Sequence, residues 1–517
     1  MLRKLRLTSQ LFFFILFLVL LILTSYRGSD EIRYPVRVFL EFDPLIGVTT
    51  ILASHQIPLL LLLGLFTLVL TFLFGRVFCG WICPLGTLNH GIGWLTSRSK
   101  EHRSISRFLN FRLKYYLLVF LLVTSVFSLQ WVGIFDPISL LIRSMTLAVE
   151  PVFNRLVHSV FALLYFSDID LIIVWSEPLY DLLKRSILSF QQPHFDQGLV
   201  VGLLFALVLL LNLVHRRFWC IVLCPLGALL GVIARFSRFE RLIDDSCTEC
   251  GRCIPGCFQA QKESLPRGWV KSECLVCGNC QDLCHERAIR FKPVTRTLAS
   301  SGEPNLARRN LIISTLSAVV AVPLLRVGAS EGRPNPRLIR PPGALSEREF
   351  LKRCVKCGEC MKVCLTNGLQ PTLFEAGIEG IWSPILVSRI GYCQYYCTLC
   401  GQVCPSGAIR SLSQPEKEKT RIGLAFIDKS RCLPYAQGIS CIVCEEHCPT
   451  PKKAIWFEEA VVLGRDGKKL RVKQPRVDID LCIGCGICEF KCPVVDQPAI
   501  YVTSIGESRS EQNRLTL

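Results

Sequence analysis

Charge is scarce in this chain of 517 residues, and methionine and histidine are scarcer still. Charged residues make up 19% of the sequence and hydrophobic residues 50%, and the mean hydropathy is +0.40. Soluble domains carry about 25% charged residues. The low charge excludes intrinsic disorder and indicates a membrane protein, and the length corresponds to about three domains.

Several catalytic and cofactor motifs are missing as well. No C-x-x-C-H occurs, which excludes covalent haem, because the cysteine before Cys284-His285 stands four residues away. There is no P-loop, no dinucleotide-binding fingerprint and no hydrolase elbow. His55, His90 and His215 lie near helix ends without forming a facing pair, so we interpret them as surface or interfacial residues, with haem ligation or a quinone contact as alternatives. Electron transfer is the one chemistry that remains.

Cysteine, by contrast, is abundant, with 28 residues in a chain too long for a secreted disulfide scaffold. Twenty-four of them fall into six motifs. Four motifs share the spacing C-x2-C-x2-C-x3-C, and two are variants of it. The regular motifs are Cys247, Cys250, Cys253, Cys257; Cys274, Cys277, Cys280, Cys284; Cys354, Cys357, Cys360, Cys364; and Cys482, Cys485, Cys488, Cys492. The variants are Cys393, Cys397, Cys400, Cys404 and Cys432, Cys441, Cys444, Cys448.

This spacing is typical of four-iron clusters. Three close thiolates wrap one corner of the cluster, and the fourth reaches the neighbouring cluster, so that the motifs work in pairs. A zinc site would use two separated C-x2-C knuckles with no interposed third cysteine. We therefore predict six [4Fe-4S] clusters with these 24 cysteines as iron ligands. At about −2 for each oxidised cluster, the formal charge of +18 falls to about +6, and no nucleic-acid partner is expected.

Hydrophobic runs predict a membrane domain over residues 1–240. The first run, Leu11–Leu23, follows three basic residues, and we interpret it as an uncleaved anchor, with a cleaved signal peptide as the alternative. Three further crossings are predicted at Ile57–Phe74, Tyr115–Val132 and Leu199–Val214.

The charge of the loops predicts the orientation of this domain. The 75–114 loop is rich in basic residues, among them Arg98, Lys100, Arg103 and Arg107, whereas the longer 133–197 loop has only four. The positive-inside rule therefore places the first loop in the cytoplasm and the second outside. The apolar stretches of the outer loop are too short to span, so we expect helices lying on the outer leaflet there.

A fifth apolar segment, Leu311–Leu325, follows the pair Arg308-Arg309. The pair resembles a twin-arginine export signal, here internal and uncleaved, and a buried helix of a soluble domain is the alternative. The predicted order after the membrane domain is a cytoplasmic two-cluster ferredoxin domain at 241–295, this segment at 305–328, a linker at 329–343 and an exported four-cluster domain at 344–517.

The last four cysteines form an internal repeat. Cys79 and Cys83, and likewise Cys220 and Cys224, stand in C-x3-C-P-L-G sequences at the cytoplasmic ends of two predicted crossings. The i, i+4 spacing places both thiols of a pair on one helical face. Small buried residues, a redox thiol pair and four thiolates converging on a further metal centre all fit this pattern.

The motifs together resemble two known families. C-x3-C-P after transmembrane helices, followed by a two-cluster ferredoxin, resembles the NapH/NosR-type membrane polyferredoxins over residues 1 to about 295. The arginine pair, apolar stretch and four motifs from about 305 to 504 resemble the NapG/MauM-type exported ferredoxins. The chain thus resembles a fusion of the two components that carry electrons from quinol to periplasmic reductases.

The resemblance also implies how the motifs pair. In the bacterial two-cluster ferredoxin pattern, one cluster takes Cys247, Cys250, Cys253 and Cys284, and the other Cys274, Cys277, Cys280 and Cys257. In the four-cluster pattern, outer motifs pair with each other and inner ones likewise. That implies the sets Cys354, Cys357, Cys360, Cys492; Cys482, Cys485, Cys488, Cys364; Cys393, Cys397, Cys400, Cys448; and Cys432, Cys441, Cys444, Cys404.

The function implied is a quinol dehydrogenase or electron-transfer subunit of an oxidoreductase complex in the bacterial inner membrane. Its fold class would be an α-helical membrane domain, with about four transmembrane helices and one mid-chain helix, joined to α+β bacterial-ferredoxin-like domains. Its partners would be membrane lipid, the quinone pool and a periplasmic cytochrome or reductase. A redox maturation or regulatory factor for a metalloenzyme, and a transmembrane wire fed by a cytoplasmic donor, are the alternatives.

Overall fold

The computed structural model describes most of the chain as two compact units. The described residues are 2–96, 112–166, 170–189, 191–254, 256–257, 270–293, 306–326, 335–463, 469–510 and 513. The basic residues Arg98, Lys100, Arg103 and Arg107 and positions 329–334 of the expected linker lie outside them. The first unit comprises residues 1–22, 36–144 and 200–324, and the second comprises 23–35, 145–199 and 325–517.

The first unit consists mainly of apolar helices. Its α-helices are Leu2–Leu23, Val38–Glu41, Pro44–Ser54, Gly64–Phe74, Pro84–Thr96, Leu113–Val126, Val132–Phe135, Pro137–Ser144, Gly198–Leu210, Pro225–Ala234, Asn279–Asp282 and Arg308–Arg326. Short 3-10 helices lie at Leu59–Leu63, Leu211–Leu213 and Lys271–Glu273, and π-helices at Phe78–Ile82 and Trp219–Leu223. The strands β1 (Phe239–Ile243) and β2 (Ile289–Pro293) pair antiparallel and enclose the cysteine motifs between them in sequence.

A repeated Phe-Asp-Pro sequence begins two of these helices. Asp43 Oδ1 accepts hydrogen bonds from the amides of Leu45 at 2.8 Å and Ile46 at 3.3 Å, and Asp136 Oδ2 does so from Ile138 and Ser139. Both caps are fully buried. Each aspartate satisfies amides that have no partner within the helix, and the following proline presets the helical φ angle.

In the part of the chain that the structure describes, three helices are long and apolar enough to cross a membrane: Leu2–Leu23, Pro137–Tyr165 and Arg308–Arg326. The first and third match the expected N-terminal anchor and mid-chain segment. The three central crossings predicted from the sequence instead form helices of fewer than 18 residues, because each is interrupted by a 3-10 turn or ends early. A 16-residue α-helix is only about 24 Å long, against about 30 Å for the hydrocarbon core.

The prediction that the 133–197 loop holds only stretches too short to span was wrong. Residues Pro137–Tyr165 form one helix of 29 residues that continues through a π-helical turn at Met145–Val149. The sequence hides its length because Glu150, Asn154 and His158 interrupt the apolar run. The Asn154 and His158 side chains hydrogen-bond within the second unit, to Glu150 O and Tyr180 Oη respectively.

The second unit combines the two helices Glu150–Tyr165 and Asp170–Ser186 with a domain of short helices and two-stranded sheets. Its other α-helices are Glu347–Arg353, Glu359–Lys362, Leu399–Gln402, Gln414–Lys419, Leu433–Ala436, Val443–Glu446 and Ile487–Lys491, with a 3-10 turn at Ile378–Gly380. The antiparallel pairs are β3 (Leu369–Pro371) with β4 (Pro384–Leu386), β5 (Leu424–Ile427) with β8 (Ile500–Thr503), and β6 (Ile455–Leu463) with β7 (Lys469–Val477).

Segments 23–35 and 145–199, which precede the cysteine-rich domain in sequence, belong to this second unit. Gln402 exchanges hydrogen bonds with the Ile32 amide and the Asp30 carbonyl. Gln197 Nε2 donates to Pro371 O at 2.8 Å. The boundary drawn at residue 344 from the sequence therefore divides residues that pack together.

A cluster of ion pairs around Glu347 in the second unit predicts how the stability of the fold depends on pH. Glu347 bonds Arg340 and Arg509, and although burial alone would raise its pKa, these guanidinium groups lower it to about 2. A carboxylate with a depressed folded-state pKa stabilises the fold above its ordinary pKa of about 4.5 and loses that contribution as the pH falls towards 2. We expect Glu347→Gln to lower the melting temperature at pH 7 and to show less further loss than the unchanged protein between pH 5 and pH 3. An equal pH dependence of both proteins would contradict this assignment.

Candidate metal centres

The regular cysteine motifs share one loop conformation around the second cysteine. Gly278, Gly358 and Gly486 follow that cysteine with φ between +74° and +87°. The residue before the cysteine is also left-handed, with φ of +48° at Val276 and +55° at Lys356. Left-handed backbone is costly for a side chain such as valine. The two left-handed residues, one on each side of the second cysteine, turn the chain twice within four residues, so that three thiols face one side.

In the first unit, the thiol of Cys257 joins those of the second motif. Burial raises the pKa of Cys274, and the neighbouring thiols of Cys277, Cys257 and Cys280 raise it further. The Val276 amide lies 3.4 Å from the Cys274 sulfur as a donor. This is the set expected for one cluster of the two-cluster ferredoxin. The other set, Cys247, Cys250, Cys253 and Cys284, stays a prediction.

The second unit contains four sets of thiols, of which two line cavities. One cavity is lined by Cys364, Cys393, Cys397 and Cys400. Another is lined by Cys432, Cys441, Cys444 and Cys492. Each cavity thus combines three thiols of one motif with the last thiol of the adjacent motif, which is the arrangement that a cluster requires.

The remaining thiols form two complementary sets. The pKa of Cys357 is raised by burial, then by the Glu359 carboxylate, and then by Cys404 and Cys354. The pKa of Cys360 is raised by burial and then by Cys357, Cys354 and Cys404. The pKa of Cys488 is likewise raised by burial and then by Cys485, Cys482, Cys444 and Cys448. The two sets are therefore Cys354, Cys357, Cys360, Cys404 and Cys482, Cys485, Cys488, Cys448.

The nested pairing implied by the resemblance was therefore wrong for the last four motifs. Cys492 lies with Cys432 instead of Cys354, and Cys364 lies with Cys393 instead of Cys482. Packing explains the difference. Val363, directly before the fourth cysteine of its motif, packs with Leu399 and Val403 in a common hydrophobic core. Neighbouring motifs along the chain thus share a core and exchange their fourth cysteine.

The four sets follow one another in space. The nearby thiol of Cys400 raises the pKa of Cys360, and the thiol of Cys393 raises the pKa of Cys485. The Cys393 amide donates to Cys485 O at 2.8 Å. With Cys488 next to Cys444, the order is the Cys354 set, the Cys364 set, the Cys482 set and the Cys432 set. Such a row allows an electron to move through the domain in short steps.

The C-x3-C-P repeat brings its four thiols together. Burial raises the pKa of Cys83, and the thiols of Cys220 and Cys79 raise it further. The pKa of Cys224 is likewise raised by burial and by the thiols of Cys220, Cys79 and Cys83. The first cysteine of each pair lies in a π-helical turn and the second directly follows that turn, so the direction of the second cysteine differs from that in an ideal α-helix. In each half of the repeat, a glycine amide donates a hydrogen bond to the sulfur of the second cysteine. Gly86 donates to Cys83, and Gly227 donates to Cys224 at 3.2 Å. The repeat thus forms a thiol quartet between its two halves.

The ferredoxin motif of the first unit docks beside this quartet through one buried carboxylate. Glu273, which precedes Cys274, accepts from Arg76 at 2.8 Å and from Tyr115 Oη at 2.6 Å, and it pairs with Lys114. Arg76 and Lys114 are fully buried. Sequence reasoning missed this cluster of charges. The repeat offered a signal, because Arg76 and Arg217 both stand three residues before the first cysteine of their half.

The indole of Trp81, inside the first C-x3-C-P sequence, donates to Val276 O at 3.2 Å. A side chain at Gly80 would come within 2.6 Å of the Leu275 carbonyl, so a glycine is needed there. The quartet and the Cys274 set are therefore separated by one layer of backbone. The histidines do not contribute to this site as a pair: His90 contacts Arg6, and His215 Nδ1 contacts its neighbour's carbonyl.

Within the described ranges, no group of three or more His, Cys, Asp or Glu side chains is close enough to hold a single metal ion. A four-iron cluster keeps its thiolates apart at the corners of a cube. The sets of four thiols, two of which surround a cavity, therefore suit clusters and not single ions.

Comparison with known proteins identifies the relatives of this chain. It is 34% identical over 221 residues to the ferredoxin-type protein NapG of Escherichia coli, which covers 41% of this chain and 93% of NapG. It is 35% identical over 205 residues to the methylamine utilization ferredoxin-type protein MauM of Methylorubrum extorquens, covering 38% of this chain and 88% of MauM. The chain belongs to the NapG/MauM family of ferredoxin-type proteins.

A family model described as a 4Fe-4S binding domain also matches, at residues 56–102 and 197–242. These two stretches contain the two C-x3-C-P sequences. No solved structure matches the chain. As a member of the NapG/MauM family with 4Fe-4S binding domains, the protein is an iron–sulfur electron-transfer protein of the ferredoxin type.

Proposed function

We propose that this protein is a membrane-bound carrier that oxidises quinol and passes the electrons through six [4Fe-4S] clusters to a periplasmic cytochrome or reductase. The observation that carries the proposal is the row of four thiol sets in the second unit. Such a row has a use only if electrons enter at one point and leave at another.

Loop charge and packing support a placement of the four-set domain outside the cytoplasmic membrane. The domain packs with segments 23–35 and 145–199, which the positive-inside rule assigns to the outer face. The Cys274 motif packs with Arg76 and Lys114, at the ends of the loop assigned to the cytoplasm. A NapH/NosR-type first part fused to a NapG/MauM-type second part accounts for both contacts.

Iron supplies the redox chemistry when the clusters are bound, and the chain's residues set its conditions. The thiols would provide the ligands, and burial keeps water away from such thiols as Cys357, Cys400 and Cys488. The amides of Val276, Ile409 and Ala499 donate to ligand sulfurs at 3.4 Å, which stabilises the reduced state.

Quinol addition to the anaerobically purified protein tests the proposal. We expect about 24 iron atoms per chain and prompt bleaching of the visible cluster absorption by menadiol, with EPR signals of reduced clusters. Dithionite serves as the control that shows the clusters to be reducible. Bleaching by dithionite with none by menadiol would refute the quinol reaction.

The thiol quartet favours a second function, that of a redox maturation or regulatory factor. Cys79, Cys83, Cys220 and Cys224 lie beside the Cys274 set, so a cluster electron could reduce a metal or a disulfide there. The double variant Cys79→Ala/Cys220→Ala separates the two functions. If it keeps menadiol bleaching but loses the activity of a dependent metalloenzyme in the cell, the maturation function is favoured.

A further inference from the structure

A cavity of the second unit lies against one of the candidate cluster ligands. Three parts of the unit form its walls: the segment that follows the N-terminal helix, the segment 145–199 and the stretch Met361–Asn367 of the cysteine-rich domain. Cys364 is part of the last wall. The same cysteine lines the cavity of its thiol set, and Val363, Cys364 and Leu365 are the residues that line both spaces.

An acid–base group faces this cavity. The carboxylate of Glu150 pairs with Lys362, whose side chain is only 2% exposed, and accepts a hydrogen bond from Ser189 Oγ at 2.8 Å. All three residues line the cavity. A carboxylate in this position can accept a proton from the hydroxyl of a bound ligand.

Apolar surface adjoins the same place. Glu150 begins the second half of the helix Pro137–Tyr165, which is long and apolar enough to cross a membrane. Val152, Phe153 and Leu156 follow with their side chains exposed. A ligand that enters here can keep an apolar tail on the helix and a polar head in the cavity.

We propose that this cavity binds the head group of a membrane quinol, with Glu150 as the proton acceptor and Cys364 at the point of electron entry. The inference rests on the proposed quinol oxidation and adds its site. A polar, redox-active head with two hydroxyl groups and an apolar tail is the ligand chemistry that suits a carboxylate, a cluster thiolate and a lipid-facing helix together.

The reaction balances with groups named here. Two O–H bonds of the quinol break and two ring C=O bonds form, which releases two electrons and two protons. Cys364, Cys393, Cys397 and Cys400 would hold the [4Fe-4S] cluster that accepts these electrons one at a time, and the other thiol sets of the row would hold the clusters that follow it. The protons leave one after the other through the Glu150 carboxylate and Ser189 to water.

Stopped-flow mixing of the full-length, cluster-loaded protein in nanodiscs with menadiol tests the site. We expect Glu150→Gln to slow cluster bleaching about 100-fold, because a general base contributes about 10²–10⁴-fold. Glu150→Asp should recover part of the rate and shift its pH profile. Glu459→Gln, which removes an exposed carboxylate outside the cavity, should bleach at the unchanged rate.

A second variant leaves the ion pair intact. Gln191 is exposed at the cavity wall, so Gln191→Trp should obstruct entry without disturbing packed residues, and we expect a raised menadiol concentration for half-maximal rate. An azidoquinone probe should label peptides from 145–199 or 361–367 in the unchanged protein and lose that labelling in Gln191→Trp. Iron content and dithionite bleaching show that each variant is folded.

The outcomes separate the site from the function. If menadiol fails to bleach the unchanged protein, quinol oxidation itself fails. In a second outcome, menadiol bleaches the unchanged protein, while Glu150→Gln and Gln191→Trp react at the same rate and the azidoquinone labels peptides outside 145–199 and 361–367. In that case quinol oxidation stands and this cavity is not its site.

Discussion

The double variant Cys364→Ala/Cys397→Ala is expected to lose one cluster, about four iron atoms per chain. Both cysteines line the same cavity and would hold the same cluster. The second substitution therefore causes no further loss of iron. The nested pairing would assign the two cysteines to different clusters and predicts a loss of about eight iron atoms.

A matched variant reverses the expectation. Cys364→Ala/Cys485→Ala removes ligands from two sets in the observed arrangement, so about eight iron atoms should be lost, whereas the nested pairing predicts about four. Iron analysis and integration of the EPR signal after dithionite reduction measure both variants. Equal losses in the two proteins would contradict the sequential pairing.

Substitution of Glu273 by glutamine is expected to have the largest effect on stability in the first unit. The carboxylate bonds Arg76, Lys114 and Tyr115 in the interior. Its removal leaves two buried cations without their counter-ion, and such a change costs about 3–5 kcal/mol. We expect the melting temperature of the detergent-solubilised protein to fall and the EPR signal of the Cys274 set to be lost first.

Glu286→Gln is the control for this prediction, because Glu286 is an exposed carboxylate of the same module. The pH adds a second readout. Burial alone would raise the pKa of Glu273, but Lys114 and Arg76 outweigh burial and lower it. Its contribution is therefore present above the ordinary carboxyl pKa and is lost on acidification. A Glu273→Gln protein as stable as the Glu286→Gln control would refute the role of Glu273 in docking.

The local features of the sites could be predicted from the sequence because they depend on residues close together in the chain. The C-x2-C-x2-C spacing identifies three ligands of a cluster, and the glycine after the second cysteine provides the left-handed turn. The helices Leu2–Leu23 and Arg308–Arg326 correspond to uninterrupted apolar runs. The C-x3-C-P repeat was visible as well, since its spacing is kept in both halves.

The fourth ligand of each cluster could not be predicted from spacing. Either of two cysteines tens of residues away can supply it, and the choice depends on which short helices share a core. Val363 packing with Leu399 and Val403 decided it in favour of the adjacent motif. The length of Pro137–Tyr165 was missed for a related reason, because Asn154 and His158 also bond the distant residues Ser189 and Tyr180 in the folded unit.

The sequence by itself determined the candidate ligand residues, the iron–sulfur chemistry and two of the membrane-length helices, since these follow from covalent spacing and uninterrupted hydrophobicity. Only the tertiary structure decided which thiols lie together, that four C-x3-C-P thiols meet, that Glu273 is buried next to Cys274, and that a half-buried Glu150 lines a cavity with Cys364. These are contacts between distant segments, and their free energy depends on packing and on the pairing of buried charges, which no local pattern encodes.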